Sequence, residues 1–572
     1  MAMTDTRPEE ETPAPPEEAA VFDAGWTGGT DHKAIGTLYI VAALAFLVVG
    51  GLLALVMRAQ LATPDADIVG GNTYRQLFTM HGVTMVFLFL LPLWLGLATA
   101  IVPLQLGATR LAFPRAHALS FWLFLGGAVM VVAAPLVSDV FGGWSLSDPI
   151  PERLGLRGDG PDLLILGMGL VAIAGVVASV NLLATILSLR VDGLTLRRVP
   201  PFTWSVLVSS SVLMLALPVL VAALLMLFVD RHYAGHVFDG WTGSRRGNPL
   251  LWPRMFWFAA YPTLWALLLP ALGAISEIVP VFARRRLADH RRAIAALAAV
   301  GILSFAGWGS EVRTLSRARP LFAIGALVVL LPVVSLLLNW LLTLRGAVRD
   351  PGARRRMGKV PMLHALGFLS VLAVGLGGGV ISALDAGCRS HSNYWSVAEQ
   401  HTLFFGAATV GAVAALYYWA PKLWGRHLSE KLGALQFLAL VGGLHLTFLP
   451  MYVLGIQDMG VHLPVQDADE SWELANLAAS AGAAVVGLAL LLLVANLLGS
   501  IVAGRGRRAE ADPWQGHTLE WATSSPPPPG NFTRPLPPIR SNRPVWDATR
   551  ACERPDRAAQ PADERSPGDA PS

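Results

Sequence analysis

The stretch FTMHGVTMVFLFLLPLWLGLATAIV at Phe78–Val102 is an apolar run with a histidine near one end. It is long enough to cross a membrane, because a helix needs about 20 apolar residues to span roughly 30 Å of hydrocarbon. A second histidine stands in a similar run, in the stretch VAEQH at Val397–His401. An ionisable side chain inside a membrane is costly and therefore indicates a function. These two stretches are where the sequence is equipped to hold a cofactor.

The composition of the 572-residue chain is that of a membrane protein. Hydrophobic residues make up 54% of the chain and charged residues only 14%, whereas soluble domains average about a quarter charged. The net charge of +4 comes from arginine-rich loops between the apolar runs and does not predict a nucleic-acid partner. We therefore expect an all-α membrane protein embedded in the lipid bilayer.

The apolar runs predict twelve spans, and the loops between them predict their orientation. The spans begin near Ile35, Tyr74, His117, Asp162, Thr203, Phe256, Ala293, Leu321, Val360, Val397, Leu432 and Leu474. The loops after the even-numbered spans carry the basic clusters, and the opposite loops are mixed or acidic. By the positive-inside rule, both termini are expected to be cytoplasmic. The basic residues are Arg110, Arg115, Arg190, Arg197, Arg198, Arg284–Arg286, Arg291, Arg292, Arg354–Arg356, Lys359, Lys422, Arg426 and Lys431.

Three regions follow from this pattern. Residues 1–32 are acidic and proline-rich and lack the apolar core of a signal peptide, so we expect a disordered cytoplasmic tail. Residues 33–508 form the predicted twelve-helix membrane domain. Residues 509–572 are polar and include SSPPPP at Ser524–Pro529. This last region predicts a cytoplasmic tail that is extended or disordered unless it lies along the cytoplasmic face.

The two histidines are expected at the same depth in the membrane. Spans two and ten run in the same direction, and His81 and His401 each lie several residues into their span, about 10 Å below the outer surface at a rise of roughly 1.5 Å per residue. Two imidazoles at equal depth on separate helices could ligate the two faces of one haem. The alternative is that each histidine is a hydrogen-bonded core residue.

Several longer motifs resemble subunit I of the haem–copper oxidases, specifically the cytochrome c oxidase type, and they follow the order of that family along nearly the whole chain. They are DHKAIGTLY at Asp31–Tyr39, LVMRAQLA at Leu55–Ala62, QLFTMHG at Gln76–Gly82, VPLQLGATRLAFPR at Val102–Arg115, PFTWSVLV at Pro201–Val208, NWL at Asn339–Leu341 and TLEWATSSPPPP at Thr518–Pro529. The resemblance implies a bundle of twelve transmembrane helices with both termini inside. It also implies that His81 and His401 bind the iron of a low-spin haem, of a or b type, and that Arg58 contacts its formyl group.

The oxygen-reducing centre of that family is not matched. Where the family has HPEVY, with a copper ligand, a proton-carrying glutamate and a cross-linked tyrosine, this chain reads YPTLW at Tyr261–Trp265. Where the family has two more copper ligands in WAHH, this chain reads WGSE at Trp308–Glu311, and Glu399 replaces the ligand of the high-spin haem. Copper needs imidazole or sulfur donors. We therefore expect copper B and the high-spin haem to be absent, and no catalytic residue is assigned.

The proton routes of the family are also unmatched. Arg110 stands where the family has an entry aspartate, and Leu336 stands where it has the lysine of its second channel. Val461 and His462 replace two arginines that the family places at the haem propionates. The chain therefore keeps the motifs that run along the predicted helices, whereas many functional groups of the family are lost together.

Three hypotheses follow. The preferred one is a subunit I-like membrane haem protein of the respiratory chain that binds one bis-histidine haem, for electron transfer or as a non-catalytic subunit. The second is an active terminal oxidase that reduces oxygen at an atypical centre built from Tyr261, Glu311 and Glu399. The third is a haem-free scaffold or transporter. The resemblance implies oxidase subunits II and III as partners, an inner-membrane location, and cytochrome c or quinol as electron donor.

Overall fold

The protein is described from a computed structural model. The structure describes residues 29–64, 66–140, 143, 145–146, 158–233, 235–238, 247–312, 318–384, 393–461 and 470–553. Most of the predicted N-terminal tail, the end of the C-terminal tail and His462 lie outside these ranges. The described part is helical apart from loops and two isolated β-bridges.

Twelve helices follow the order of the predicted spans. Each begins between zero and five residues before its predicted start, so hydropathy located all of them. They are α1 His32–Gln60, α2 Gly71–Leu106, α3 Pro114–Val137, α4 Gly160–Ser188, α5 Pro201–Tyr233, α6 Leu251–Phe282, α7 His290–Leu303, α8 Arg319–Ala347, α9 Val360–Leu384, α10 Tyr394–Trp424, α11 Glu430–Ile456 and α12 Glu470–Leu497. Helices α2 and α10 each contain a π-helical turn, at Thr84–Leu90 and His401–Gly406.

Eleven helices within the described ranges are long and apolar enough to cross a membrane. The exception is α7, which is 14 residues long and is followed by a turn and the short 3-10 helix Trp308–Glu311. At about 1.5 Å per residue it does not cover the hydrocarbon thickness by itself. The helix ends at Leu303, and the turn that follows leads to Gly307 and Gly309, which disfavour a return to α-helix.

Helices α2, α6 and α10 form the centre of the bundle. The apolar segments of these three helices are almost wholly buried, whereas only 28% of the corresponding residues are buried in α1 and in α12. The outer helices present large apolar side chains such as Leu136, 83% exposed, and Leu474, 77% exposed. Such side chains are compatible with lipid as their surroundings. The two predicted histidines therefore lie on central helices.

Small residues allow the backbones of neighbouring helices to come close together. A Cβ atom on Gly127 of α3 would lie 2.6 Å from the carbonyl oxygen of Gly167 on α4, and one on Gly167 would lie 2.7 Å from the oxygen of Gly127. Gly36 of α1 and Gly96 of α2 make the same reciprocal contact, at 2.7 and 2.8 Å. Membrane helices use small residues in this way because close backbone approach increases van der Waals contact.

The described part of the C-terminal region lies against one end of the bundle. Lys422 near the end of α10 donates to the carbonyl oxygens of Ala511 (2.7 Å), Thr523 (2.7 Å) and Ser524 (3.2 Å). Trp514 and Trp521 are buried there. A short helix that the sequence did not predict, α13 at Pro544–Glu553, follows.

A buried carboxyl pair joins this region to the central helices. The side-chain amide of Gln105 on α2 donates to Glu277 on α6 (2.8 Å) and to Glu520 in the C-terminal region (3.1 Å). Trp419 of α10 also donates to Glu520 (3.2 Å). Burial raises the pKa of Glu520 above its ordinary value, which favours the neutral form beside a second carboxyl.

The contact at Gly127 predicts that substitutions at Gly126 and Gly127 have very different effects on stability. Gly127→Leu should lower the stability by about 1–3 kcal/mol or more, because the side chain would force α3 away from α4. Gly126→Leu is the matched control, since nothing lies within 4 Å of a Cβ atom at that position. Thermal unfolding of the purified protein in detergent measures both variants. Equal melting temperatures for the two variants would contradict the packing described here.

Candidate functional site

The structure brings His81 and His401 together inside the bundle. The centres of the two imidazole rings are 6.3 Å apart, and the ring planes are within 5° of parallel. A histidine nitrogen binds a first-row metal ion at about 2.0–2.1 Å, so two imidazoles on opposite sides of one metal ion have ring centres about 6 Å apart. The observed separation fits a shared metal ion between the two rings.

One nitrogen of each ring is held by a backbone carbonyl. His81 Nδ1 hydrogen-bonds the oxygen of Gly50 on α1 (2.9 Å), and His401 Nδ1 hydrogen-bonds the oxygen of Val397 one turn earlier in α10 (2.7 Å). These bonds place the proton on Nδ1 and leave Nε2 as the nitrogen suited to a metal. His401 also stacks on Phe448, with ring centres 4.7 Å apart. Both rings are therefore oriented by the protein itself.

A π-helical turn lies beside each histidine. In α2 the turn begins at Thr84, three residues after His81, and in α10 it begins at His401 itself. Such turns are rare and occur frequently at functional sites. Their presence on both histidine-bearing helices distinguishes these helices from α6, the third central helix, which is α-helical throughout.

Arg58 lies near the end of α1 and is only 7% exposed. Its Nη2 donates to the carbonyl oxygen (2.9 Å) and the side-chain oxygen (3.0 Å) of Asn476 and to the hydroxyl of Ser480 (3.1 Å). The Ser480 hydroxyl in turn donates to the Arg58 carbonyl (2.7 Å). The remaining donors, Nε and Nη1, are buried and have no hydrogen-bond partner among the described residues. A buried donor of this kind needs an acceptor.

A cavity of about 230 Å³ joins the three residues. His81, His401 and Arg58 all line it, and its other walls are mostly apolar side chains from α1, α2, α10, α11 and α12. The parallel imidazoles, the buried guanidinium donors and the apolar walls together fit a haem held by its iron and by one polar substituent. The residues predicted from the sequence as a haem site thus line one cavity.

A second cavity lies where the resemblance places the oxygen-reducing centre. Tyr261, Trp265, Ser310 and Glu399 line it, but its volume is only about 50 Å³. Trp265 is 1% exposed and packs edge to face on Phe404, with ring centres 4.9 Å apart. Among the described residues, the side chains that line this space offer oxygen donors and no imidazole, whereas copper sites are built from imidazole or sulfur donors.

Glu399 is integrated into a hydrogen-bond network at this second cavity. Its carboxylate accepts a hydrogen bond from the hydroxyl of Ser382 on α9. That hydroxyl in turn accepts a hydrogen bond from Trp395 Nε1 (2.7 Å). The network ties the start of α10 to α9, which is a structural role. Glu311 closes the 3-10 helix Trp308–Glu311, and its side chain is outside the described part of the chain.

The positions that replace the family's proton-carrying groups have ordinary surroundings. Arg110 is an exposed loop residue. Leu336 is fully buried in α8, and the Thr263 hydroxyl donates to the Ala259 carbonyl one turn earlier (2.8 Å). Leu336 and Thr263 have no ionisable side chain. Val461, which stands where the resemblance places an arginine at the haem propionates, is buried at 7% exposure.

Sequence reasoning missed the residues that hold the site in place. The Gly50 carbonyl that orients His81 leaves no signal in the sequence, because any residue has a carbonyl. Asn476 and Ser480, which hold Arg58, did leave one: they are polar residues four apart, and so on one face, in an otherwise apolar helix.

Comparison with known proteins agrees with this architecture. Residues 34–506 match the family described as Cytochrome C and Quinol oxidase polypeptide I. The chain is 37% identical to a putative cytochrome c oxidase subunit 1-beta of Streptomyces avermitilis, covering 95% of both chains. It is 34% identical to cytochrome c oxidase subunit 1 of Bacillus subtilis, covering 93% of this chain and 84% of the relative.

A solved structure of a haem–copper terminal oxidase dimer has the same fold. The TM-score is 0.68 at 17% sequence identity, and the match covers 83% of this chain and 85% of the other. The similarity at this identity concerns the fold alone. From the family match and the identity to its relatives, the chain belongs to the Cytochrome C and Quinol oxidase polypeptide I family and is a haem–copper oxidase chain of the cytochrome c oxidase subunit I type.

Proposed function

We propose that this chain holds one low-spin haem, of a or b type, between His81 and His401, and that it lacks copper B and the high-spin haem. It serves the respiratory chain in electron transfer or as a non-catalytic subunit of an oxidase complex. The observation that carries the proposal is the 6.3 Å separation of two near-parallel imidazoles, each held through Nδ1 by a backbone carbonyl.

The haem would supply one-electron oxidation and reduction, and with both axial positions filled it would leave no position open for oxygen. The protein supplies the rest. The two carbonyl oxygens orient the imidazoles, and the apolar walls of the cavity exclude water. Arg58 supplies a buried positive charge and two donors for a polar substituent. A nearby cation favours the reduced haem, because reduction adds negative charge.

The loss of oxygen chemistry is supported by the second cavity. A space of about 50 Å³ beside the buried Trp265 leaves no room for a second haem, and Tyr261, Ser310 and Glu399 are poor ligands for copper. The absence of proton-carrying groups at Arg110, Leu336 and Thr263 agrees with this. These are the positions through which the family delivers protons to oxygen.

We further propose an inner-membrane location with both termini cytoplasmic. The basic loops between α2 and α3, between α6 and α7 and between α10 and α11 support this orientation. Subunits II and III of an oxidase are the proposed partners, with cytochrome c or a quinol as the electron donor. The names of the relatives from Streptomyces and Bacillus, which are oxidase subunits, support this assignment.

One observation favours a second candidate function, oxygen reduction at an atypical centre. Tyr261 and Glu399 line the same cavity, and a carboxylate with a phenol suits a hard metal ion such as iron. Metal analysis and oxygen uptake of the purified protein distinguish the two candidates. Our proposal predicts haem iron only and no oxygen uptake, whereas about one additional metal ion per chain together with uptake would establish the alternative.

The histidine pair predicts a defined spectrum. The reduced protein should show a low-spin haem that carbon monoxide does not change, because no axial position is open. His81→Ala and His401→Ala should each abolish the low-spin signal. His445→Ala is the control, since this histidine bonds the Val441 carbonyl (2.8 Å) within α11 and does not line the cavity.

A carbon monoxide adduct in the wild-type protein would contradict the loss of the oxygen-reducing centre. A purified protein without pigment would contradict haem binding and would establish the haem-free scaffold. A low-spin signal that survives both His81→Ala and His401→Ala would place the haem elsewhere.

The charge of Arg58 predicts a shift in redox potential. Arg58→Met should lower the midpoint potential of the haem by on the order of 50 mV, because a cation that stabilises the reduced form is removed. Arg75→Met is the control, since Arg75 lies on α2 with His81 but is exposed. Spectroelectrochemical titration measures both variants. Equal potentials in the two variants would show that Arg58 does not act on the haem.

A further inference from the structure

A groove of about 890 Å³ opens at the end of the bundle where α12 ends and α11 begins. Its walls come from four segments. They are the residue before α9, residues 427–432 around the start of α11, residues 495–500 around the end of α12, and residues 505–514. A π-helical turn, Leu498–Val502, continues α12 at this point. The lining residues used below are Lys359, His427, Glu430, Gly499, Arg505 and Arg507. The groove is separate from both cavities described above.

The frame of the groove is fixed by buried hydrogen bonds. Asn496 is fully buried, accepts from the backbone of Ser429 (2.8 Å) and from Ser500 (2.9 Å), and donates to the hydroxyl of Tyr417 (3.0 Å). Arg426 donates to the carbonyl oxygens of residues 504 and 506 (2.9 Å each) and so fixes the loop. The groove is therefore a built feature and not a gap between mobile segments.

Cations dominate the polar side of the groove. Lys359, Arg505 and Arg507 carry three positive charges, and Glu430 carries the one negative charge among the lining residues. Glu510 lies 3.8 Å from Arg507, but both side chains are more than 70% exposed, so water screens this pair as well. The Lys359–Glu430 pair is 3.7 Å apart and about half exposed, so water screens it. Burial, and then the charge of Arg507, hold the pKa of His427 below its ordinary value. These surroundings favour an anion.

The other side of the groove is apolar and continues into the lipid-facing surface. Leu432, Leu498 and Val502 lie on the adjoining helix ends and are 37%, 54% and 65% exposed. Nothing lies within 4 Å of a Cβ atom added at Gly499, so this wall of the groove is open. The groove therefore joins a cationic face to an apolar face at the end of two membrane helices.

We propose that this groove binds the headgroup of an anionic phospholipid, with its phosphate against Arg505 and Arg507 and the start of its acyl chains beside Gly499. A basic pocket between membrane helices is suited to anionic headgroups, because the cations attract the phosphate while the adjacent apolar surface receives the chains. A free phosphate has the same anionic chemistry but gains nothing from the apolar wall.

Native mass spectrometry of the purified full chain in detergent, titrated with phosphatidylglycerol or phosphatidylcholine, tests the site. Phosphatidylglycerol should bind more tightly than phosphatidylcholine. The double variant Arg505→Gln, Arg507→Gln should weaken phosphatidylglycerol by about 30-fold, because each cation near an anionic group contributes a factor of about five. Arg354→Gln, Arg355→Gln is the control, since these exposed arginines do not line the groove.

A steric pair tests the apolar wall without changing any charge. Gly499→Phe should fill the groove and reduce phosphatidylglycerol binding at least about tenfold. Gly442→Phe is its control, because Gly442 on α11 also has nothing within 4 Å of an added Cβ atom but does not line the groove. Thermal unfolding of each variant verifies that the fold is kept.

Three results would overturn the proposal. The first is equal binding of phosphatidylglycerol and phosphatidylcholine. The second is unchanged phosphatidylglycerol binding by the Arg505, Arg507 double variant. The third is displacement of phosphatidylglycerol by inorganic phosphate at equal concentration, together with normal binding by Gly499→Phe, which would assign the groove to free phosphate.

Discussion

The hydrogen bond from each histidine to a backbone carbonyl is the constraint on which the candidate site depends. For His401 the carbonyl belongs to the same helix, so the bond follows from helix geometry. For His81 it belongs to Gly50 on α1, so the bond exists only when α1 packs closely on α2. A Cβ atom at Gly50 would lie 2.6 Å from the sulfur of Met85 and 3.3 Å from the methyl group of Thr84, so α1 and α2 are in close contact at this point. The packing of α1 on α2 therefore also determines the orientation of the His81 ring.

The two cavities among the central helices differ in volume and in the chemistry of their walls. Each is lined by residues that stand where the resemblance places functional residues of the family. The first, lined by the two histidines and Arg58, has a volume of about 230 Å³. The second, lined by Trp265 and Phe404 packed edge to face, has about 50 Å³. Membership of the family fixes the arrangement of helices, whereas the chemistry depends on the side chains at each site.

Hydropathy predicted the helices because the cost of burying polar backbone in lipid leaves few alternatives to a helix. The predicted twelve-helix fold is confirmed, although α7 ends at Leu303 and is shorter than its apolar run suggested. The pairing of His81 with His401 could be inferred from their positions in parallel spans. The partners of Arg58 could not, because Asn476 is more than 400 residues away and no local pattern connects the two.

The C-terminal region shows a different limit of prediction from the sequence. Its prolines and polar residues predict a chain without regular helices or strands, and the backbone between Trp521 and α13 consists of bends, turns and irregular segments. What they do not predict is where that chain lies. Two tryptophans, Trp514 and Trp521, and the charge of Lys422 attach it to the bundle. Aromatic residues in a proline-rich tail are thus the local signal that the tail is packed.

The π turn in each of α2 and α10 rotates the residues beyond it about the helix axis, relative to the residues before it. A residue in an α-helix advances about 100° around the axis, so the wider turn rotates everything beyond it relative to the histidine. Beyond the turn in α2 lies Gln105, and beyond the turn in α10 lie Trp419 and Lys422, which receive the C-terminal region. The π turns therefore determine in which direction the side chains that hold the C-terminal region point relative to the two histidines.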